Sequence, residues 1–168
     1  MKKTGIFYGS TTGTTEDVAG RIAAEMGIGP ADIHNVSELS PELVNDYDAL
    51  LLGSSTWGAG DLQDDWYDGL DRLKALDLSG KIVALFGCGD AESYPDTFCG
   101  ALALLHDALA PTGCTFAGDV PADGYSVTDC DAVRDGRFVG LALDETNEPG
   151  ETDARIAAWC GALKNLLA

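Results

Sequence analysis

The chain has 168 residues, 45% of them hydrophobic, which makes one domain of ordinary size with apolar side chains enough for its own core. Ten basic against 28 acidic residues leave a formal net charge of −18. That sign argues against nucleic acid and anionic membrane surfaces and favours a basic protein partner met by electrostatic steering, although solubility or a salt-adapted proteome would give the same balance.

Apolar runs alternate with amphipathic stretches. Residues 4–8 read as a strand, and 13–26 as a helix through Val18, Ile22 and Met26. A short strand follows at 32–36. Residues 49–53, with Leu50, Leu51 and Leu52 in succession, read as a strand buried on both faces. The spacing of Leu70, Leu73 and Leu76 predicts a helix over 64–76, and Ile82 to Phe86 a second buried strand over 81–86. Phe98, Leu102, Leu105 and Leu109 mark a helix over 96–109. Residues 115–117 start a last strand, 138–142 resume it, and 153–167 form the closing helix with Thr152 as its cap. Between the two halves of the last strand, residues 118–137 are a polar insert without a long apolar run, expected on the surface.

Strict alternation of strand and helix predicts an α/β fold. It would be a doubly wound five-stranded parallel sheet of order 2-1-3-4-5, with helices on both faces and an insertion in the last strand. Residues 1–168 would form a single domain. In such sheets a ligand sits beyond the carboxyl ends of the strands, at the switch point between the first and third. Three loops should converge there.

The first loop is Ser10, Thr11, Thr12, Gly13, Thr14 and Thr15, between the first strand and the first helix. It carries five hydroxyls and one glycine and neither Lys nor Arg. It therefore matches neither a P-loop, which needs Gly-Lys-Ser/Thr, nor the dinucleotide G-x-G-x-x-G. Backbone N–H groups, hydroxyls and the helix dipole would hold a phosphate there. Read alone, the same hydroxyls fit a capped helix start equally well. The second loop, residues 54–62, includes Thr56, Trp57, Gly58, Ala59 and Gly60. The third, residues 87–94, includes Cys88, Gly89, Asp90 and Tyr94. Two loop aromatics meeting at a phosphate loop would make a slot for a flat ring stacked on both faces.

Cys88, Cys99, Cys114, Cys130 and Cys160 form no C-x-x-C pair, and an odd, scattered set points to reduced thiols without a zinc or iron–sulfur site. His34 and His106 are isolated, so no metal is expected, and no catalytic residue stands out. No apolar run approaches the roughly 18–20 residues of a membrane span, and the start of the chain lacks the apolar core of a signal peptide. A cytoplasmic location is the expectation.

Taken together, the three loops resemble those of the flavodoxins, specifically the long-chain type. Residues 10–15 fit the family's Thr/Ser-x-Thr-Gly-x-Thr phosphate loop. Thr56-Trp57-Gly58-Ala59-Gly60 with Leu62, Gln63 and Trp66 fits the second flavin loop, and Gly87-Cys88-Gly89-Asp90 with Tyr94 and Phe98 fits the third. Residues 138–144 resemble the segment that completes the last strand in long-chain members. The resemblance implies one non-covalently bound flavin mononucleotide (FMN) in a monomeric, low-potential, one-electron carrier. Its phosphate would sit on Ser10 to Thr15, with Thr56 adding a hydroxyl. Trp57 and Tyr94 would flank the ring, and Gly58, Ala59, Gly60, Cys88, Gly89 and Asp90 would meet its polar edge through the backbone. A carbonyl just after the Trp would turn to accept the N5 proton of the singly reduced flavin, and glycine at position 58 would ease that turn. Asp64, Asp65 and Asp68 would belong to a docking face for a basic-faced redox protein. Ferredoxin–NADP reductase and pyruvate oxidoreductase are candidate reductases, and nitrogenase a candidate acceptor. Two other classes remain at this point: an FMN-dependent quinone or NAD(P)H oxidoreductase on the same fold, and a non-redox binding module.

Overall fold

The computed structural model describes residues 2–57 and 60–168. Its central parallel sheet contains β1 (Thr4–Gly9), β2 (Ile33–Asn35), β3 (Ala49–Trp57) and β5 (Ile82–Cys88) in the spatial order β2-β1-β3-β5. Short β4 (Asp61–Leu62) folds back antiparallel on the end of β3. The last position is shared by two short strands, β6 (Thr115–Ala117) and β10 (Leu141–Leu143), each pairing in parallel with β5. Counting that pair as one interrupted strand gives the predicted order 2-1-3-4-5.

Helices α1 (Thr14–Met26) and α5 (Thr152–Leu167) cover one face; α3 (Asp65–Lys74) and α4 (Gly100–Leu109) cover the other. A five-residue helix, α2 (Pro41–Asn45), lies before β3 and is started by Ser40, whose Oγ accepts from Leu43 N at 3.2 Å. Alternation along each strand divides the core. Ile6, Leu51, Ala84, Phe86 and Leu141 face α1 and α5, whereas Phe7, Leu50, Leu52, Val83 and Leu85 face α3 and α4. On α5, Ile156, Trp159, Cys160, Leu163 and Leu167 are buried at helical spacing. Each fully buried aliphatic side chain contributes on the order of 1.5–3 kcal/mol of transfer free energy.

Several boundaries differ from the sequence reading, each with a local cause. β3 runs four residues past Gly53, because Ser54 and Ser55 still pair with Gly87 and Cys88 before the hairpin to β4. Helix α4 starts at Gly100 rather than at Asp96, since Pro95–Thr97 form a separate 3-10 turn and Cys99 takes a left-handed conformation, φ 51°. Thr152 is the first residue of α5 and its hydroxyl makes no capping bond.

The insert lies mostly on the surface, as expected, but it is folded and buries Ala122 and Ala132. It builds a small antiparallel sheet from β7 (Val120–Pro121), β8 (Val133–Arg134) and β9 (Arg137–Phe138). Phe138 therefore belongs to this sheet, and the main strand resumes only at Leu141. Phe138 is buried against Phe98 and Tyr125, with ring centroids 5.8 and 4.6 Å away, and Ala122 and Ala132 are buried with it. The inner side of the insert thus extends the core beside α4, while its outer side stays exposed. The sequence pattern hid this because its buried residues are scattered singly among polar ones.

Candidate functional site

The phosphate-type loop begins where β1 ends at Gly9. Ser10 Oγ accepts from Gly13 N at 3.1 Å and closes the turn. Gly13 then takes φ 94°, a left-handed conformation that a Cβ would strain, and α1 follows at Thr14. The start of α1 has no side-chain cap among the described residues. Its first-turn N–H groups are the ones a helix leaves without an internal partner, at the positive end of its dipole. Thr15 is buried, and its Oγ1 has no hydrogen-bond partner among the described residues. An uncapped helix start, an orphaned hydroxyl and the exposed hydroxyls of Thr11 and Thr12 form a neutral donor set suited to a phosphate. The capping alternative that the sequence left open is therefore not the one these side chains adopt.

Beyond this loop lies a cleft of about 190 Å³ at the carboxyl ends of β3 and β5. Thr12 and Thr14 line it from the first loop; Ser55, Thr56 and Trp57 from the second; and Cys88, Gly89, Asp90 and Tyr94 from the third. Trp57 is 42% exposed and Tyr94 48%, so both rings present surface available to a flat molecule. Trp57 is oriented by its own Nε1, which donates to Ser55 Oγ at 2.9 Å. Thr56 Oγ1 accepts from Ala101 N at 3.3 Å, which leaves the hydroxyl proton free to donate. The volume is below the roughly 300 Å³ floor of drug-sized pockets. It suits a ring whose polar tail continues along residues 10–15.

Not every predicted site residue lines the cleft. Ser10, Thr11, Gly13 and Thr15 shape the adjoining loop instead. Gly60 takes φ 102° and packs on the start of α4, where a Cβ on Gly100 would lie 3.1 Å from its Cα. Gly58 and Ala59 lie outside the described residues, and so does the proposed carbonyl turn at Gly58. Ser55, Thr97, Phe98 and Thr146 line the cleft without having been singled out as site residues. Phe98 belongs to the third-loop pattern and Ser55 to the second loop; Thr146 and Thr97 carry no local signal.

The third loop is held by a buried carboxylate. Asp144, 0% exposed, follows β10 and accepts from Ala91 N at 3.1 Å, Thr146 N at 3.2 Å, and Asn147 N and Nδ2, both at 2.9 Å. The Asn147 amide also donates to Asp90 Oδ1 at 2.8 Å. That bond, with the Ser93 N–H, holds the Asp90 carboxyl below its ordinary range. Behind it, burial pushes the Cys88 thiol up to about 12, with the Glu145 carboxylate acting in the same direction. Gly89 is obligatory here, since a Cβ would come within 2.8 Å of Cys99 N.

The acidic residues of the expected docking face divide on inspection. Asp64 and Asp68 are exposed. Asp65 also turns an oxygen inward, accepting from Gln63 Nε2 at 3.1 Å. Outside that face, the Asp144 carboxylate holds the third loop, and Glu145 pairs with Arg21 at 3.2 Å. Among the described residues, no Lys or Arg lines the cleft. A second cavity of about 530 Å³ lies between the insert and α5, away from all three loops. Its arginines are engaged, Arg137 by Asp119 and Arg155 by Glu148 and the face of Tyr125. Among the described residues, no cluster of His, Cys, Asp and Glu could hold a metal ion.

Comparison with known proteins gives a consistent result. The sequence model of one family, described as Flavodoxin, matches residues 6–159. Flavodoxin 1 of Salmonella typhimurium is 44% identical over 160 residues, covering 95% of this chain and 91% of the relative. A flavodoxin of Nostoc sp. is 43% identical over 164 residues, covering 98% and 96%. Among solved structures, Fusobacterium nucleatum flavodoxin bound to flavin mononucleotide superimposes with a TM-score of 0.89 at 31% identity, covering 100% of both chains.

Proposed function

The chain belongs to the flavodoxin family, and on that premise we propose that it carries electrons one at a time on a single FMN held without a covalent bond. FMN, when bound, supplies reversible one-electron chemistry that the amino acids lack. The chain's own residues bind it, orient it and set its potential. Its role is that of a carrier rather than of an enzyme.

The observation that carries this reading is the junction of two surfaces. The uncapped start of α1, with the hydroxyls of residues 10–15, adjoins a cleft walled by Trp57 and Tyr94. Ser10, Thr11, Thr12, Gly13, Thr14 and Thr15, with Thr56, hold the phosphate through N–H and O–H donors. Trp57 and Tyr94 cover the two faces of the ring and keep water from them. Cys88, Gly89 and Asp90, with Gly60 of the second loop, would meet the polar edge. Two ring faces closed by aromatic side chains leave no place for a second substrate to stack, which favours a carrier over an oxidoreductase.

Electrostatics argue for a low potential. Among the described residues, the cleft offers the Asp90 carboxylate and no cation, in a chain of net charge −18. One uncompensated charge at 4 Å opposes added negative charge by about 1 kcal/mol in water and about 4 kcal/mol at an effective dielectric of 20. Neutral donors at residues 10–15 bind the phosphate without offsetting that opposition.

The partners are redox proteins, and those with a basic face suit the exposed Asp64 and Asp68 beside Tyr67, which is itself exposed. Ferredoxin–NADP reductase, pyruvate oxidoreductase and nitrogenase all remain compatible. No helix among the described residues is long and apolar enough to cross a membrane.

Adding FMN to the flavin-free chain tests the proposal: flavin fluorescence should quench to a sharp endpoint at one FMN per chain. Failure to take up FMN would leave only the fold in common with the family. Steady turnover of NAD(P)H by the isolated chain would favour the oxidoreductase.

A further inference from the structure

Gln63 is 2% exposed and sits between β4 and α3, with every polar group of its side chain engaged. Its Oε1 accepts from Asp65 N at 3.0 Å. Its Nε2 donates to Asp65 Oδ2 at 3.1 Å and to Thr11 Oγ1 at 3.0 Å. The amide orientation follows from the network. Turned over, it would set its oxygen against the Asp65 carboxylate and its NH2 against the Asp65 N–H, pairing acceptor with acceptor and donor with donor. The side chain reaches this position across the end of β1, where a Cβ on Gly9 would lie 2.2 Å from Gln63 Oε1. Glycine at position 9 makes the room.

One consequence concerns Thr11. A hydroxyl has a single proton. Because Thr11 Oγ1 accepts from Gln63, its proton is not used on that partner. We propose that Gln63 is a positioning residue for flavin phosphate: by donating to Thr11 Oγ1, it commits the Thr11 proton to the anion. The inference rests on the reading of residues 10–15 as the phosphate site. It assigns a specific role to a residue 52 positions away in the sequence. It also gives Asp65 a function distinct from docking, since its carboxylate and N–H fix the Gln63 amide.

The test compares two ligands that differ only in the phosphate. Flavin-free wild-type chain, Gln63→Glu, Thr11→Val and the double variant are titrated with FMN and with riboflavin. Glutamate at 63 offers an acceptor where a donor stood, so the Thr11 proton turns back to the protein. The expected result is about a tenfold loss of FMN affinity, the size of one charge-assisted hydrogen bond. Riboflavin affinity should stay within about twofold, because it makes no use of that bond. Thr11→Val should lower the FMN-to-riboflavin ratio by a similar factor, and the double variant should lose little more than either single one. Equal weakening of both flavins would mark Gln63 as merely structural and overturn the proposal. So would an unchanged ratio, or fully additive effects. If Gln63→Glu does not fold, Gln63→Met gives a milder comparison: it removes the donor without offering a strong acceptor, so the FMN-to-riboflavin ratio should still fall, but by less than about tenfold, and an unchanged ratio would overturn the proposal. A wild-type chain that bound no FMN would instead refute the proposed function itself.

Discussion

Removing the Asp144 carboxylate should destabilise the protein out of proportion to the size of the side chain. Its two oxygens gather four hydrogen bonds from Ala91, Thr146 and Asn147 in a fully buried setting. In Asp144→Ala the donors on exposed Thr146 and half-buried Asn147 can regain water. Ala91 is buried, so its N–H is left without a partner at about 1–3 kcal/mol. The lost charge-assisted bonds add to this, and the total comes to about 3–5 kcal/mol, within the range for breaking a buried polar network. That is a large share of the roughly 5–15 kcal/mol that holds a domain folded. In urea, with a slope of about 2 kcal/mol per molar, the midpoint should fall by about 2 M. FMN affinity should fall too, because Asn147 loses one anchor and with it the restraint on Asp90. A midpoint shift under about 0.5 M with unchanged slope would show that Asp144 does not organise the third loop.

Other predictions follow from the site and its surroundings. Trp57→Ala should weaken FMN binding and raise the more negative of the two one-electron potentials; unchanged fluorescence titrations and potentials would count against the ring-covering role. The Cys88 thiol, pushed up to about 12 by burial, keeps its proton when folded, whereas unfolding returns it to a group near 8.5. The folded state therefore binds more protons between those values. Its contribution is whole below about pH 8.5 and is lost as pH rises toward 12, at on the order of 1 kcal/mol per pH unit. Urea midpoints at pH 7 and pH 10 should fall further for wild type than for Cys88→Ala, and parallel losses would refute the linkage. Asp64→Asn with Asp68→Asn should slow electron transfer to a basic-faced partner in stopped-flow at low salt. The difference should vanish at high ionic strength, where the Debye length is only a few ångströms; a salt-independent defect would place the effect elsewhere.

The parts of the fold legible in the sequence are those with local causes. Leu50 to Leu52 and Ile82 to Phe86 could only be strands buried on both faces, and the helical spacing of Val18, Ile22 and Met26 marks α1. The loops at their carboxyl ends followed from topology. What the sequence does not carry depends on contacts between distant residues. Gln63 and Thr11 are 52 positions apart, and Asp144 and Ala91 are 53 apart. Nothing near either Gln63 or Asp144 shows that a polar side chain there is buried and fully bonded. Phe138 looked like the resumption of a main strand because it precedes Val139 and Leu141. Its true neighbours, Phe98 and Tyr125, come from α4's approach and from the insert. The start of α4 differs from the sequence pattern because Asp96 and Phe98 fit a helical spacing that the left-handed Cys99 interrupts.

The central claim is that these loops hold one FMN and make it a low-potential, one-electron carrier. A reductive titration of the FMN-loaded chain under argon, followed by its visible spectrum, tests this most directly. The account predicts one flavin per chain reduced in two resolved one-electron steps, the second well below the potential of free FMN. A single two-electron step at the potential of the free flavin would contradict it.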